Sequence, residues 1–203
     1  EIASCLVGSE MCIRDSYAHR GLHDNATEAP ENSMAAFRKA ADAGFGIELD
    51  IQLTKDKIPV VFHDFTLKRV CGGEGKISDY TYEELQQFHL CNSVEKIPKF
   101  EDVLKMVDGK VPLIVEFKIE RTDLSLCPLA DKMLRAYKGM YCMESFNPLG
   151  VWWEETSGSG ARPVVRCFSE RRRVCRDIIF CIAESAAELR DQAGFCGIQS
   201  SLS

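Results

Sequence analysis

The sequence lacks several features that would assign the protein to familiar classes. It has no apolar run of about 18 residues, the length that makes a segment a candidate membrane-spanning helix. It has no excess of positive charge: 31 acidic residues against 25 Lys and Arg give a net charge of −6, which argues against a nucleic-acid partner. The apolar stretch at residues 2–8 follows Glu1 and lacks the positively charged start of a secretion signal. We therefore expect a cytoplasmic protein that neither spans a membrane nor binds nucleic acid.

The ten cysteines form no C-x-x-C pair, so the sequence contains neither a zinc-ribbon nor a dithiol redox motif. Six of them lie near the two ends of the chain and four in its centre. We expect the central four to be reduced core residues of a cytosolic protein.

Residues 17–153 alternate β-rich segments with amphipathic ones, which is typical of an α/β fold with a parallel sheet and helical crossovers. One domain is expected from the length of 203 residues. Helices are predicted from an N-cap at Asn32 or Ser33 to Gly44, and at 81–88, 99–107 and 128–137. The predicted strands are S-Y-A-H-R-G, F-G-I-E-L-D-I-Q-L-T, P-V-V-F-H-D, V-P-L-I-V-E-F-K and M-Y-C-M-E-S-F.

Acidic residues recur at the spacing that places side chains on one face of a strand. Glu48 and Asp50 are two residues apart, and Glu116 and Lys118 repeat this spacing in another apolar strand. Surface salt bridges account for most such pairs taken alone. Three carboxylates meeting inside one barrel would repel one another, and a divalent cation would relieve that repulsion. Oxygen ligands suit Mg²⁺ or Ca²⁺ better than Zn²⁺.

Two His residues lie where strand patterns meet loops, as His19-Arg20 and His63-Asp64. A histidine exchanges protons near neutral pH, so two of them beside a bound phosphate suit acid/base catalysis. Arg20 and Lys118 would supply positive charge for the phosphate oxygens. A single histidine of this kind is more often structural, but four strand ends that each carry polar groups favour a catalytic site. His23 and His89 have no such setting and receive no role.

The motifs A-H-R-G, A-P-E-N-S-M-A-A-F, I-E-L-D-I-Q-L-T-K-D, P-V-V-F-H-D, I-P-K-F-E-D-V-L and V-E-F-K, in this order, resemble the glycerophosphodiester phosphodiesterase family. The resemblance covers about residues 17–153 and implies a TIM (β/α)₈-type barrel. We expect this barrel to be incomplete, with about five recognisable βα units, because such barrels usually need about 250 residues. The implied reaction is metal-dependent hydrolysis of a glycerophosphodiester to an alcohol and glycerol 3-phosphate.

The resemblance also implies a role for each candidate residue. One divalent cation, Mg²⁺ or Ca²⁺, would be the cofactor, and a small-molecule glycerophosphodiester the substrate. The implied roles are metal ligation by Glu48, Asp50 and Glu116, acid/base catalysis by His19 and His63, phosphate binding by Arg20 and Lys118, and support of the site by Glu31 and Asn32.

Two other functions remain open from the sequence. A lysophospholipase D or a sphingomyelinase D-like phosphodiesterase would share the metal site but act on lipids that retain an acyl chain. A phosphate-binding barrel that has lost catalysis would keep the fold, although the presence of both His19 and His63 disfavours it.

The two ends of the chain do not match the family. Residues 1–16 resemble translated sequencing-adapter sequence, and we expect them to be non-native rather than a variable N-terminal arm. Residues 154–203 contain seven Arg and no Lys, since all twelve Lys of the chain lie between Lys39 and Lys138. A linker followed by a small basic helix is one interpretation of this tail, and a shifted reading frame is the other.

A shifted reading frame restores family-like sequence in two places. Codons permitted for residues 154–169, read one base later, encode a segment that begins K-K-R-P-E-V-V-R-G-Q-L-S-A. The same shift over 181–199 permits A-L-R-N-L-L-L-N-F-V-T-R-P-D-F-V-A-Y-N. The strands that close the barrel would then be scrambled in the printed chain, leaving an unpaired sheet edge. We therefore expect the chain as printed to have little or no phosphodiesterase activity.

We predict that the source DNA, read one base later from Trp153 onward, encodes both of these strings. Sequencing the genomic DNA across this position measures it directly. If the shifted frame contains neither string, the tail is native and the frameshift hypothesis is wrong.

Overall fold

The structure is a computed structural model, and it describes residues 17–156. The predictions made for residues 1–16 and 157–203 lie outside the described residues. No helix within the described part is long and apolar enough to cross a membrane.

The described residues form one sheet of five strands at the positions that the sequence predicts. Four of them are parallel in the order β1-β2-β4-β5, and β3 pairs with β2. The strands are β1 (Tyr17–His19), β2 (Gly46–Leu53), β3 (Pro59–Val61), β4 (Leu113–Phe117) and β5 (Tyr141–Glu144).

The third strand differs from the parallel arrangement that the sequence predicts, because β3 runs antiparallel to β2. Only residues 54–58 separate the two strands, whereas a parallel connection needs a crossover of a dozen or more residues. Thr54 closes this short turn, with its hydroxyl 2.9 Å from the amide of Ile58 that donates to it. The alternating βα pattern therefore applies to the other four strands.

Helices follow the parallel strands on the outer side of the sheet. Ser33 caps the first helix, one of the two residues predicted for that role, by accepting a hydrogen bond from the amide of Ala36. The helix predicted at 81–88 is a single turn, and Pro128 lies in the first turn of its helix, where no intrahelical N–H bond is lost. The helices are α1 (Met34–Asp42), α2 (Lys68–Cys71), α3 (Tyr82–Leu85), α4 (Phe100–Val107), α5 (Leu126–Ala136) and α6 (Pro148–Thr156), with a 3₁₀ turn at Ile77–Asp79.

Strands β2 and β4 separate apolar from polar side chains by their two-residue period. In β2, Ile47, Leu49 and Ile51 belong to the main hydrophobic core, which also contains residues of α1, α4 and α5. The intervening residues Glu48 and Asp50 project to the opposite face, which is the inner face of a barrel. Strand β4 follows the same rule, and both strands are buried almost throughout. A second, smaller hydrophobic cluster lies within residues 58–97.

We predict that Gly21→Ala destabilises the chain more than Gly44→Ala does. Both glycines have positive φ angles, of 81° and 78°, which cost a residue with a Cβ atom about 1 kcal/mol. A Cβ at Gly21 would also lie 2.9 Å from atoms of Ala36 and Phe37, whereas a Cβ at Gly44 would meet nothing within 4 Å. The extra loss for Gly21→Ala is expected to be about 1–3 kcal/mol in urea unfolding. Equal losses would show that the loop accommodates the added methyl group.

Candidate active site

Three buried carboxylates meet on the inner face of the sheet. Glu48 and Asp50 lie on β2, and Glu116 lies beside Asp50 in the register of β4. One carboxylate oxygen from each residue lies within 4.8 Å of the others, and all three side chains are buried. The predicted metal ligands are therefore brought together by the pairing of two parallel strands.

The charges of these carboxylates interact strongly. Burial, followed by repulsion from Asp50, raises the pKa of Glu48 well above its usual range and that of Glu116 to about 8. Burial also opposes ionisation of Asp50, but the adjacent Lys118, the charge on His63 and a hydrogen bond from Asn32 lower the pKa of Asp50 overall. This part of the site therefore has less positive charge than its acidic groups require.

Lys118 supplies part of that positive charge. Its ammonium nitrogen lies 2.7 Å from Glu116 Oε1 and 3.1 Å from Asp50 Oδ1, and its side chain is largely buried. Three buried carboxylates this close together, neutralised only in part by one ammonium group, suit ligation of a divalent cation.

Arg20 contacts the same acidic group from the loop after β1. Its backbone amide donates to Glu48 Oε2 at 3.0 Å, and its Nε lies 3.6 Å from Asp50 Oδ2. Arg20 has a φ of 56°, a conformation that non-glycine residues adopt rarely. The structure thus places Arg20 beside the carboxylates, and its binding of phosphate stays a prediction.

His19 ends β1 next to Glu48. Its Nε2 lies 3.8 Å from Glu48 Oε2, and 44% of its side chain is exposed. Although the side chain is partly exposed, partial desolvation of the ring, followed by the charge of Arg20, lowers the pKa of His19 to about 4. This lowered pKa favours the neutral form of the ring, which can accept a proton.

Glu31 and Asn32, predicted to support the site, do contact it. Asn32 Nδ2 donates to Asp50 Oδ2 at 2.9 Å. Glu31 accepts a hydrogen bond from Arg20 at 3.1 Å. Burial opposes ionisation of Glu31, but hydrogen bonds from Arg69 and Asn25 outweigh it and lower the pKa of Glu31 to about 2.

His63 lies in the loop after β3, where its Nδ1 is 2.6 Å from Asp64 Oδ1. Gln52 attaches this loop to β2, because its amide nitrogen lies 2.7 Å from the carbonyl oxygens of both Phe62 and Asp64. His63 also interacts electrostatically with Asp50 and His19. The loop thus places the second predicted histidine on the side of the sheet where the carboxylates lie.

Sequence reasoning missed three residues that organise the site. Gln52 continues the two-residue spacing of Glu48 and Asp50, a signal that could have identified it. Asn25 and Arg69 both bond to Glu31, but they lie in irregular or very short segments where no periodic pattern identifies them.

A cleft of about 460 Å³ opens beside Lys118. Basic side chains on its wall include Lys55, Lys57 and Arg121, and Phe65 supplies an aromatic surface. Glu48, Asp50 and Glu116 do not line this cleft, which adjoins the acidic cluster through Lys118.

Comparison with known sequences identifies one family. A model described as the glycerophosphoryl diester phosphodiesterase family matches residues 19–144. The chain is 37% identical over 128 residues to a glycerophosphodiester phosphodiesterase of Caldanaerobacter subterraneus subsp. tengcongensis. The matched region covers 60% of this chain and 51% of that protein. It is 45% identical over 92 residues to glycerophosphodiester phosphodiesterase 1 of Homo sapiens, covering 43% of this chain and 27% of that protein. The chain spans about half the length, or less, of the curated relatives it matches.

Solved structures share the fold. A glycerophosphodiester phosphodiesterase of Thermotoga maritima superposes with a TM-score of 0.62 at 26% identity, covering 88% of this chain and 72% of that one. A phosphodiesterase of Oleispira antarctica, in complex with its product sn-glycerol-3-phosphate, gives a TM-score of 0.68 at 20% identity, covering 88% and 81%. The predicted fold class, α/β of the TIM-barrel type, is confirmed.

We predict that, in the presence of EDTA, the free energy of unfolding falls as pH rises toward 8, and that Glu116→Gln weakens this dependence. The folded chain raises the pKa of Glu116 from its ordinary 4.5 to about 8, so it holds this proton more tightly than the unfolded chain does. The resulting stabilisation is complete below pH 4.5 and is lost as pH rises through 8. Urea unfolding at pH 5 and pH 8.5 measures the difference, which we expect to favour the variant by about 1–3 kcal/mol at pH 8.5.

The exposed Glu101→Gln is the matched control, because Glu101 lies outside the acidic cluster, in an ion pair with Lys105. It should leave the pH dependence between 5 and 8.5 unchanged. A Glu116→Gln curve parallel to the wild-type curve would show that this carboxyl group titrates normally.

Proposed function

This chain belongs to the glycerophosphoryl diester phosphodiesterase family, and we propose that its intact form hydrolyses a glycerophosphodiester to an alcohol and glycerol 3-phosphate. The observation that supports this activity most is the meeting of Glu48, Asp50 and Glu116 beside His19 and Arg20. The Oleispira antarctica relative, which holds sn-glycerol-3-phosphate as its product, agrees with the proposed product.

We propose that Glu48, Asp50 and Glu116 hold one divalent cation, Mg²⁺ or Ca²⁺. Their close oxygens and the raised pKa values of Glu48 and Glu116 fit a cation at this position. When bound, such a cation polarises the phosphate oxygens and offsets their negative charge.

The substrate phosphate binds, in this proposal, between Arg20 and Lys118. Both side chains are largely buried, so their interaction with an anion is screened less by water than that of a surface residue. The planar guanidinium of Arg20 can bond two phosphate oxygens at once, and the ammonium of Lys118 acts as a point charge. Lys118 also borders the cleft, which leaves room for the parts of the substrate beyond the phosphate.

His19 and His63 form the proposed acid/base pair. One ring removes a proton from the attacking nucleophile, and the other donates a proton to the departing alcohol oxygen. His19 is the last residue of β1, whereas His63 lies in the loop that Gln52 attaches to β2. Because the two rings are held by different segments of the chain, they can act on different atoms of one phosphodiester.

The intact form is tested by comparing its turnover of glycerophosphocholine and of lysophosphatidylcholine. The proposal expects the deacylated compound to be the better substrate. Preference for lysophosphatidylcholine would instead favour the lysophospholipase D alternative, and turnover of neither compound would favour the phosphate-binding barrel.

We predict that Glu48→Ala or His19→Ala lowers the kcat of the intact enzyme by at least about 100-fold, because each removes a group from the reaction centre. Assays of glycerophosphocholine hydrolysis measure this loss. The matched controls are Glu101→Ala and His89→Ala, whose exposed side chains lie outside the site. Retention of the full rate in His19→Ala or Glu48→Ala would refute the role given to that residue.

Removal of divalent cations is expected to abolish turnover, and Mg²⁺ or Ca²⁺ to restore it. The restoring ion should also raise the unfolding temperature of the wild-type chain, since a ligand that binds only the folded state stabilises it. Glu48→Gln and Glu116→Gln should each reduce this thermal shift, and Glu101→Gln should not. Full activity in EDTA would exclude the proposed cation site.

A further inference from the structure

Arg69 joins two carboxylates that the proposed mechanism leaves unconnected. It lies on the short helix α2, and its guanidinium reaches both Asp64 and Glu31. Nε and Nη2 donate to the two oxygens of Asp64 at 2.6 and 2.8 Å. Nη1 and Nη2 donate to the two oxygens of Glu31 at 2.9 and 2.6 Å. One side chain thus occupies four carboxylate oxygens.

Arg69 bonds both oxygens of Asp64, and one of these oxygens also contacts the ring of His63. Asp64 Oδ2 accepts from Arg69, and Asp64 Oδ1 is shared between Arg69 and the Nδ1 of His63. With Arg69 in place, rotation of this carboxylate would break two hydrogen bonds. The ring of His63 is therefore held at Nδ1, which leaves its Nε2 as the nitrogen available to the substrate.

We propose that Arg69 is a positioning residue for the reaction: it holds Asp64, and through Asp64 it sets the orientation and tautomer of His63. This inference rests on the catalytic role proposed for His63. Arg69 needs no contact with the substrate to act in this way.

The second half of the guanidinium extends the chain of contacts to the phosphate-binding side. Glu31, which is 5% exposed, also accepts a hydrogen bond from Arg20 at 3.1 Å. Positive and negative groups then alternate from Arg20 through Glu31 and Arg69 to Asp64, which contacts the ring of His63. The loop after β1 and the loop after β3 are connected by this series, in which Glu31 holds the guanidinium of Arg69 beside Asp64.

Only an arginine can make all of these contacts. Lysine offers three donors on one nitrogen, whereas the rigid fork of arginine can bond two carboxylates side by side. Burial opposes ionisation of Asp64, but hydrogen bonds from Arg69 and His63 lower its pKa, so Asp64 is ionised and His63 Nδ1 is the donor at neutral pH. Arg69→Lys should therefore keep the charge but lose the orientation.

Arg69→Met, Arg69→Lys, Asp64→Asn and the double variant Arg69→Met/Asp64→Asn in the intact enzyme test the proposal by steady-state kinetics. Lys68→Met is the matched control, because Lys68 is an exposed basic neighbour on the same helix. We expect Arg69→Met to lower kcat about 10- to 100-fold, the usual effect of removing a group that orients a reacting one, with a smaller change in KM. Arg69→Lys should recover little of this loss, and Lys68→Met should keep the wild-type kcat.

The double variant distinguishes positioning through Asp64 from an independent effect. If Arg69 acts through Asp64, Arg69→Met causes less than about a twofold further loss once Asp64 is replaced. If the kcat losses of the two single variants multiply in the double variant, the proposal is overturned. It is also overturned if Arg69→Met leaves kcat per folded molecule unchanged.

A spectroscopic measurement is independent of turnover. The chain contains only four histidines, so ¹⁵N-histidine NMR resolves His63, which His63→Ala assigns. We expect neutral His63 to be the Nδ1–H tautomer in the wild type and a mixture of tautomers in Arg69→Met. An unchanged tautomer would overturn the proposal even in an active enzyme. A normal rate in His63→Ala, by contrast, would refute the catalytic role of His63 while the NMR result still reports whether Arg69 orients the ring.

Discussion

Repulsion among three buried carboxylates is the constraint on which the arrangement of the site depends. Glu48, Asp50 and Glu116 lie on adjacent parallel strands, so the backbone hydrogen bonds of the sheet hold them together regardless of their charges. Each buried carboxylate loses hydration, and the three cannot all remain ionised without nearby positive charge. The contacts made by Lys118 and Arg20 offset part of this repulsion, and the proposed cation would offset the rest.

The same strands stabilise the fold on their other face. Ile47, Leu49 and Ile51 alternate with the acidic residues of β2 and pack into the main core. A shift of one residue in register would exchange the two sets, placing carboxylates among the helices and aliphatic side chains in the site. The core therefore enforces the register that the site requires, because the apolar face admits only one alignment.

The histidines depend on loops, which need attachments of their own. Gln52 attaches the His63 loop to β2. Asn32, which has a φ of 56°, donates a hydrogen bond to Asp50. Arg20 has a similar φ of 56°. Such backbone conformations cost free energy and persist where surrounding contacts over-determine them, as the hydrogen bonds of Arg20 and Asn32 do at this site.

The sequence alone determined the strand positions, the helix that begins after Ser33, and the acidic residues that form the cluster, because periods of two and 3.6 residues are local properties that the chain displays directly. Tertiary structure decided the rest. The antiparallel direction of β3 follows from a five-residue connection. The hydrogen bonds of Arg69 to Asp64 and Glu31 join segments up to 38 residues apart. No periodic pattern encodes such a meeting, since it depends on how two loops lie above the same sheet. The residues that carry charge could thus be predicted from spacing, whereas their partners were specified only by the fold.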